Sequence, residues 1–276
     1  MTAKSSDLRS IEHRFPEHKE LVLHPISDVH IEATTHRDKE FRAKLEELVK
    51  LGDNHRILLM GDLLDAAIAS SKGFYHGAKT VQWAIDKLVD LFKPLANRVD
   101  LIMPGNHEER VGRATGVDIT QQFAALLGRL DVYRPLPTII HYSFFGRTAQ
   151  SHTACNTCCN AQVFVHHGHG GGARPGSSVN RLEDLAKWKP DCDLYLMGHV
   201  HRKFAVADEI YMGWPVRHHY RMFVCTGTWL GHEHYAQRFG LGPQRSEGSA
   251  VITMRRDNSK KDGKRNSNSP VVTAEV

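Results

Sequence analysis

The sequence predicts an α/β protein in a four-layer α+β arrangement, with two packed mixed β-sheets flanked by helices. Three observations lead there. The first third of the chain alternates strand-like and helix-like segments. Beyond Asp131 the texture becomes mostly strand-like with one helix, which calls for a second sheet packed on the first. Polar residues capable of gripping an ion recur where predicted strands run into loops. At 276 residues, 41% of them hydrophobic, the chain is long enough to fill one large core.

The elements follow in order. The opening 20 residues are polar and charged and read as a loose lead-in strand or helix. Residues 21–27 (LVLHPIS) form a short apolar run, expected to be a buried strand. In 37–50 the positions of Phe41, Leu45, Leu48 and Val49 match one face of a helix. Residues 57–60 are a second strand with Gly61-Asp62 at its end, and 79–92 are helical in pattern, closed by Pro94. A third strand, 99–103, stops at Pro104-Gly105, and a helix covers about 118–128. Strands are then expected at 138–145, 161–167, 193–198 and 222–229, with a helix near 179–188. No linker composition divides residues 1–254, which read as a single domain. From Arg255 the chain is rich in Lys, Asn and Ser without periodicity and reads as a basic, disordered tail, 255–276.

Charge and cysteines narrow the class. The net charge is +5, but the tail holds six basic and three acidic residues, so the body carries only about +2. That is too little to argue a dedicated nucleic-acid surface from bulk charge. No stretch is apolar enough for a membrane span, and the first residues lack a signal-peptide core. Five cysteines, an odd count, suit a reducing cytoplasm. Cys155-x-x-Cys158-Cys159 suggests a zinc knuckle, but such a site needs four ligands. Cys192 and Cys225 lie in apolar strand-like segments, so ordinary packed thiols are expected.

Seven of the 19 histidines fall in short Gly- or Asp-containing segments. These segments are Asp28-Val29-His30, Gly61-Asp62-Leu63-Leu64-Asp65, Gly105-Asn106-His107-Glu108, His166-His167-Gly168-His169 and Gly198-His199-Val200-His201. On extended backbone an i, i+2 pair points to one side, so Asp28 with His30, and His199 with His201, are expected to grip one ion each. A mixed set of carboxylate, imidazole and amide oxygen suits divalent ions such as Mn²⁺, Fe²⁺ or Zn²⁺. Seven ligands exceed one ion with an open position and fit two ions sharing a carboxylate.

In chain order these blocks read D-x-H, G-D-x-x-D, G-N-H-E, H-G and G-H-x-H across residues 28 to 201. The sequence thereby resembles the calcineurin-like metallophosphoesterases, most closely their compact bacterial and phage members. The resemblance implies that fold, a cytoplasmic setting in a bacterial cell or phage-infected host, and two divalent metal ions. Mn²⁺ leads, with Fe, Zn, Ni or Mg open. It further implies that Asp28, His30 and His201 hold one metal and that Asn106, His167 and His199 hold the other. Asp62 would bridge them, with a hydroxide between the metals attacking phosphorus in line. His107 would contact the phosphate and protonate the leaving group. His166 remains an alternative to His167.

Protein phosphatases of this superfamily extend the second block to D-R-G, whereas here Ala66-Ala67 follow Asp65. A phosphodiesterase acting on nucleic acid or nucleotides, in the nuclease branch, is therefore expected. Alternatives are a phosphomonoesterase or a non-catalytic metal-binding module. Candidate substrate contacts are Asn106, His107, Arg110, His169 and Arg174, the last beside a Gly-rich run that could cradle phosphate. Asp65 is expected either to cap the following segment or to orient a metal-bound histidine. Partners would be the phosphoester substrate, DNA or RNA among the candidates, with no membrane. A homodimer is compatible with the sequence.

Overall fold

The computed structural model describes residues 9–68, 79–145, 159–170, 175–213, 216–231, 247–256 and 270–276. Its strands and helices run β1 (Arg9–Phe15), β2 (Glu20–Ile26), α1 (Asp38–Lys50), β3 (His55–Met60), α2 (Val81–Phe92), β4 (Val99–Met103), α3 (Asn106–Thr115) and α4 (Ile119–Leu126). They continue with β5 (Thr138–Phe144), β6 (Cys159–His166), α5 (Pro175–Ala186), β7 (Leu194–Met197), β8 (Lys203–Met212), β9 (Arg217–Thr228), β10 (Gly248–Ser249), β11 (Val251–Arg256) and β12 (Pro270–Glu275).

Two mixed sheets result, as the sequence predicts. One has five strands in the order β12-β11-β2-β3-β4, with β2, β3 and β4 parallel. The other has seven, ordered β1-β5-β6-β7-β9-β10, with β8 antiparallel on β9. Strands β3 and β4 are buried along nearly their whole length because sheet meets sheet on one face and helices cover the other. One apolar cluster joins both sheets to the helices: Leu23, Leu59 and Ile252 pack with Val163, Leu196 and Val224, and with Phe41 and Phe92. A second cluster sets Leu182 and Leu185 of α5 against Phe164, Tyr195 and Phe223. Each such side chain stabilises the fold by about 1.5–3 kcal/mol through burial. Thr80 caps α2 by accepting from Trp83 N at 3.1 Å, and Asp118 caps α4 by accepting from Gln121 N at 2.8 Å.

Three elements escape sequence periodicity. Helix α3 buries only Glu108 and Val111, so it has no apolar stripe to announce it. Strand β8 has no buried residue and is templated by ten register pairs with β9. The expectation of a disordered tail needs correction at its end: β12 pairs antiparallel with β11 from Pro270 to Glu275. Among the described residues, no helix is long and apolar enough to cross a membrane.

Candidate metal centre

The C-terminal ends of β2, β3, β4, β6 and β7 bring the five sequence blocks together. Asp28, His30 and His201 place ligand atoms within 4.8 Å of one another, and so do Asp62, His167 and His199. A third set, His30, Asp65 and His107, adjoins the first through His30. His201 Nε2 stands 3.2 Å from Asp28 Oδ1, and His167 Nε2 stands 3.2 Å from Asp62 Oδ2. Asn106 Oδ1 lies 3.2 Å from His167 Nε2, which puts it in reach of the second set. The two carboxylates and the rings of His30 and His167 are buried.

The convergence does not arise from the pleat of extended strands, contrary to the i, i+2 expectation. Asp28, His30, Asp62, His199 and His201 have φ of 53°, 47°, 49°, 65° and 51°, in the left-handed region. For non-glycine residues such backbone costs on the order of 1–3 kcal/mol each and persists only where the surroundings impose it. Here Asp28 N donates to Gly61 O at 3.1 Å, Val29 N to Asp62 O at 2.8 Å, and Trp229 N to Asp28 O at 3.0 Å. The loops after β2, β3 and β9 thus lock one another. The motif glycines permit the close approach. A Cβ on Gly105 would sit 2.2 Å from Asp62 Oδ1, and one on Gly198 would sit 2.9 Å from Asp28 Oδ2.

Behind the front rank lies a layer that sequence reasoning missed. The Glu108 carboxylate accepts from Asp62 N at 3.0 Å, Leu64 N at 2.9 Å and Gly105 N at 2.8 Å, joining the second and third blocks. Burial and then the Asp62 charge push its carboxyl above the usual range. Glu32 accepts from Asp65 N at 2.9 Å and Ala66 N at 2.7 Å. Ser27 donates to Asp28 Oδ2, and His199 N reaches that same oxygen at 2.9 Å. Neither Glu32 nor Ser27 sits in a recognisable motif, so only the fold could find them.

The donor set fits divalent cations. Asp28 Oδ1, both ring nitrogens of His30, and His199 Nδ1 are buried without a hydrogen-bond partner, an arrangement that is costly unless something else binds there. His167 Nδ1 lies 2.7 Å from the carbonyl of Met60, so it carries the proton and leaves Nε2 toward Asp62 and Asn106. Burial disfavours the His167 imidazolium, yet Asp62 raises its pKa to about 10. A bound cation would displace that proton.

His107 stands at the N-terminus of α3, where its backbone N–H donates to Asp62 Oδ1 at 2.9 Å. Its Nδ1 lies 3.1 Å from Asp65 Oδ1 and 2.8 Å from Asp65 O. Burial works against its charge, but the Asp65 carboxylate and the Asp62 charge outweigh it and raise His107 to about 9. Burial opposes the Asp65 charge as well, but its hydrogen bond to His107 and the His30 ring 3.6 Å away hold its carboxyl well below the usual range. Asp65 therefore lies against two histidines, the placement that orienting them requires.

The other predicted contacts fare differently. Arg110 donates to Asp65 O and lies against His107 Nδ1, so it braces this pair instead of standing ready as a phosphate clamp. His166 accepts from Gly168 N at 2.6 Å and belongs to none of the three ligand sets, which separates it from His167. His169 is exposed at the mouth of an open cleft of about 530 Å³ that also reaches Asn106, His167 and His199. Arg174, with Gly171 and Gly172 before it, lies outside the described residues, as do Cys155 and Cys158. Cys159, Cys192 and Cys225 are buried, and burial pushes the Cys192 thiol up to about 12, as expected of packed thiols.

Five strand ends presenting Asp, His and Asn to two adjoining clusters fit a metal-binding hydrolase of the α/β kind. Its family follows from sequence: the model for Calcineurin-like phosphoesterase matches residues 24–203, and the chain belongs to that family. Metal-dependent phosphoester hydrolysis is the chemistry of that family. No curated protein sequence matches the chain. One solved structure similar to it is a conserved uncharacterized protein, a predicted phosphoesterase, from Streptococcus pneumoniae TIGR4. It is 12% identical, with a TM-score of 0.35, over 86% of this chain and 84% of that one.

Proposed function

We propose that the protein is a dinuclear-metal phosphodiesterase acting on nucleic acid or nucleotides. The observation that carries this is the juxtaposition of two ligand clusters with a histidine, His107, fixed against Asp65 beside them. Asp28, His30 and His201 would hold one cation, and Asn106, His167 and His199 the other, with Asp62 shared. Mn²⁺ is the first choice for this oxygen- and imidazole-rich set. When bound, two divalent ions would neutralise phosphoryl charge and lower the pKa of water. His107, with Nδ1 tied to Asp65, keeps Nε2 as the atom that delivers a proton to the leaving oxygen. Asp62 also accepts from the backbone N–H of His107, so the residue that would be shared by the metals positions that histidine as well.

The diester preference rests on charge. Ala66, where protein phosphatases of the superfamily have arginine, gives its N–H to Glu32, and Arg110 is engaged with Asp65. A diester carries one charge fewer than a monoester dianion and needs less cationic clamping. The rival monoester reading would lean on Arg113, a cation that lines the cleft. Mn²⁺-dependent hydrolysis of bis-p-nitrophenyl phosphate beside p-nitrophenyl phosphate, with an EDTA control, decides between them. Faster turnover of the diester is expected, and preference for the monoester would overturn the diester assignment.

A further inference from the structure

The cleft is one-sided. It touches Asn106, His167 and His199 of the second cluster, but Asp28, His30 and His201 of the first do not line it. Its apolar lining comes from two segments, Met103-Pro104 at the end of β4 and Pro135-Leu136-Pro137 before β5. Leu136, between two prolines, is 60% exposed. The wall is preformed. Prolines restrict the backbone on both sides of Leu136, Thr138 Oγ1 donates to Leu136 O at 2.9 Å, and Arg134 N donates to Ile102 O at 2.9 Å. The polar rim consists of His166, His169 and the Glu109–Arg113 ion pair at 3.0 Å.

A rigid apolar wall with a few polar groups at its edge, in about 530 Å³, matches sites that hold small flat organic groups. Little conformational freedom is lost when a ligand covers a side chain already pinned in this way. From this geometry we infer that the Pro135-Leu136-Pro137 wall is a nucleobase subsite. It recognises the nucleoside of a phosphoester whose phosphorus lies at the second cluster. The inference rests on the phosphoesterase reading for its placement, but its binding chemistry can be tested apart from turnover.

The test uses adenosine, guanosine, cytidine and uridine beside ribose, none of which carries a phosphoester to hydrolyse. Ligand-observed NMR titration of the full chain measures each Kd for the wild type, Leu136→Ala, and Leu126→Ala as an exposed-leucine control outside the cleft. At least one nucleoside is expected to bind about tenfold more tightly than ribose, with saturation transfer strongest at base protons. Leu136→Ala should weaken that nucleoside about three- to tenfold, within the range for losing apolar pocket contacts, while Leu126→Ala matches the wild type. No binding, equal binding of nucleoside and ribose, or an unchanged Kd in Leu136→Ala overturns the subsite. A protein that binds nucleosides through Leu136 yet hydrolyses neither nitrophenyl ester keeps the subsite and loses the hydrolase reading.

Discussion

The sheets bury Asp and His at both ends, and the two ends are built to opposite purposes. Toward the start of β3 and β4, Asp100 is fully buried and fully answered. Arg56 reaches both of its oxygens, Tyr142 donates to it at 3.1 Å, and His13 Nε2 lies 3.0 Å from its carbonyl. This network crosses from one sheet to the other and pins them. At the far end, Asp28, His30 and His199 keep buried atoms without hydrogen-bond partners, on backbone in the left-handed region. The same residue types therefore mean different things: a closed network stabilises, whereas an open, strained one is held ready for a ligand.

Substitutions can break that contrast. The largest effect is expected on catalysis from His107→Ala, which should lower Mn²⁺-dependent turnover by about 10²–10⁴-fold while metal content stays near that of the wild type. Full turnover in that variant would remove His107 from the proton-transfer role. Next comes Asp100→Ala, which strands the Arg56 guanidinium in the core and should cost about 3–5 kcal/mol in urea unfolding. Asp62→Asn should act the other way round. It should lower bound metal, read by elemental analysis, while leaving the EDTA-treated protein much nearer the wild type in thermal stability than Asp100→Ala does. Two retained metals would end the shared-ligand assignment.

The smallest effect concerns pH. His24, on β2 and 2.9 Å from His55, is held down to about 3 by burial first and by Lys44 and His55 next. Below its ordinary value of 6.5 the unfolded chain takes up a proton that the folded chain refuses. Stability therefore falls as pH drops from 6.5 toward 3. Between pH 6.5 and 5 this one group should account for up to about 2 kcal/mol. His24→Leu should flatten the urea-midpoint profile by that amount, and an unchanged profile would mean that other histidines carry the slope.

Much of the candidate site was legible because its chemistry is written in short blocks. Asp28 and His30 could be picked as a D-x-H pair, Asp62, Asn106, His107, His199 and His201 from spacing next to glycine, and the strands before them from short apolar runs. Glu32, Ser27 and the cleft wall at Leu136 could not, since each matters through what a distant segment places against it.

The sequence by itself determined the order of most strands and helices, though not α3, β8 or β12, and also the residues that could bind metal and the family. Those are properties of local composition and spacing. Tertiary structure alone decided that His167, and not His166, joins Asp62 and His199. It alone turned Arg110 onto Asp65 and ordered β12 against β11. The physical reason is that hydrogen bonds, burial and left-handed turns are set by neighbours far apart in the chain, and no local pattern encodes which neighbour arrives.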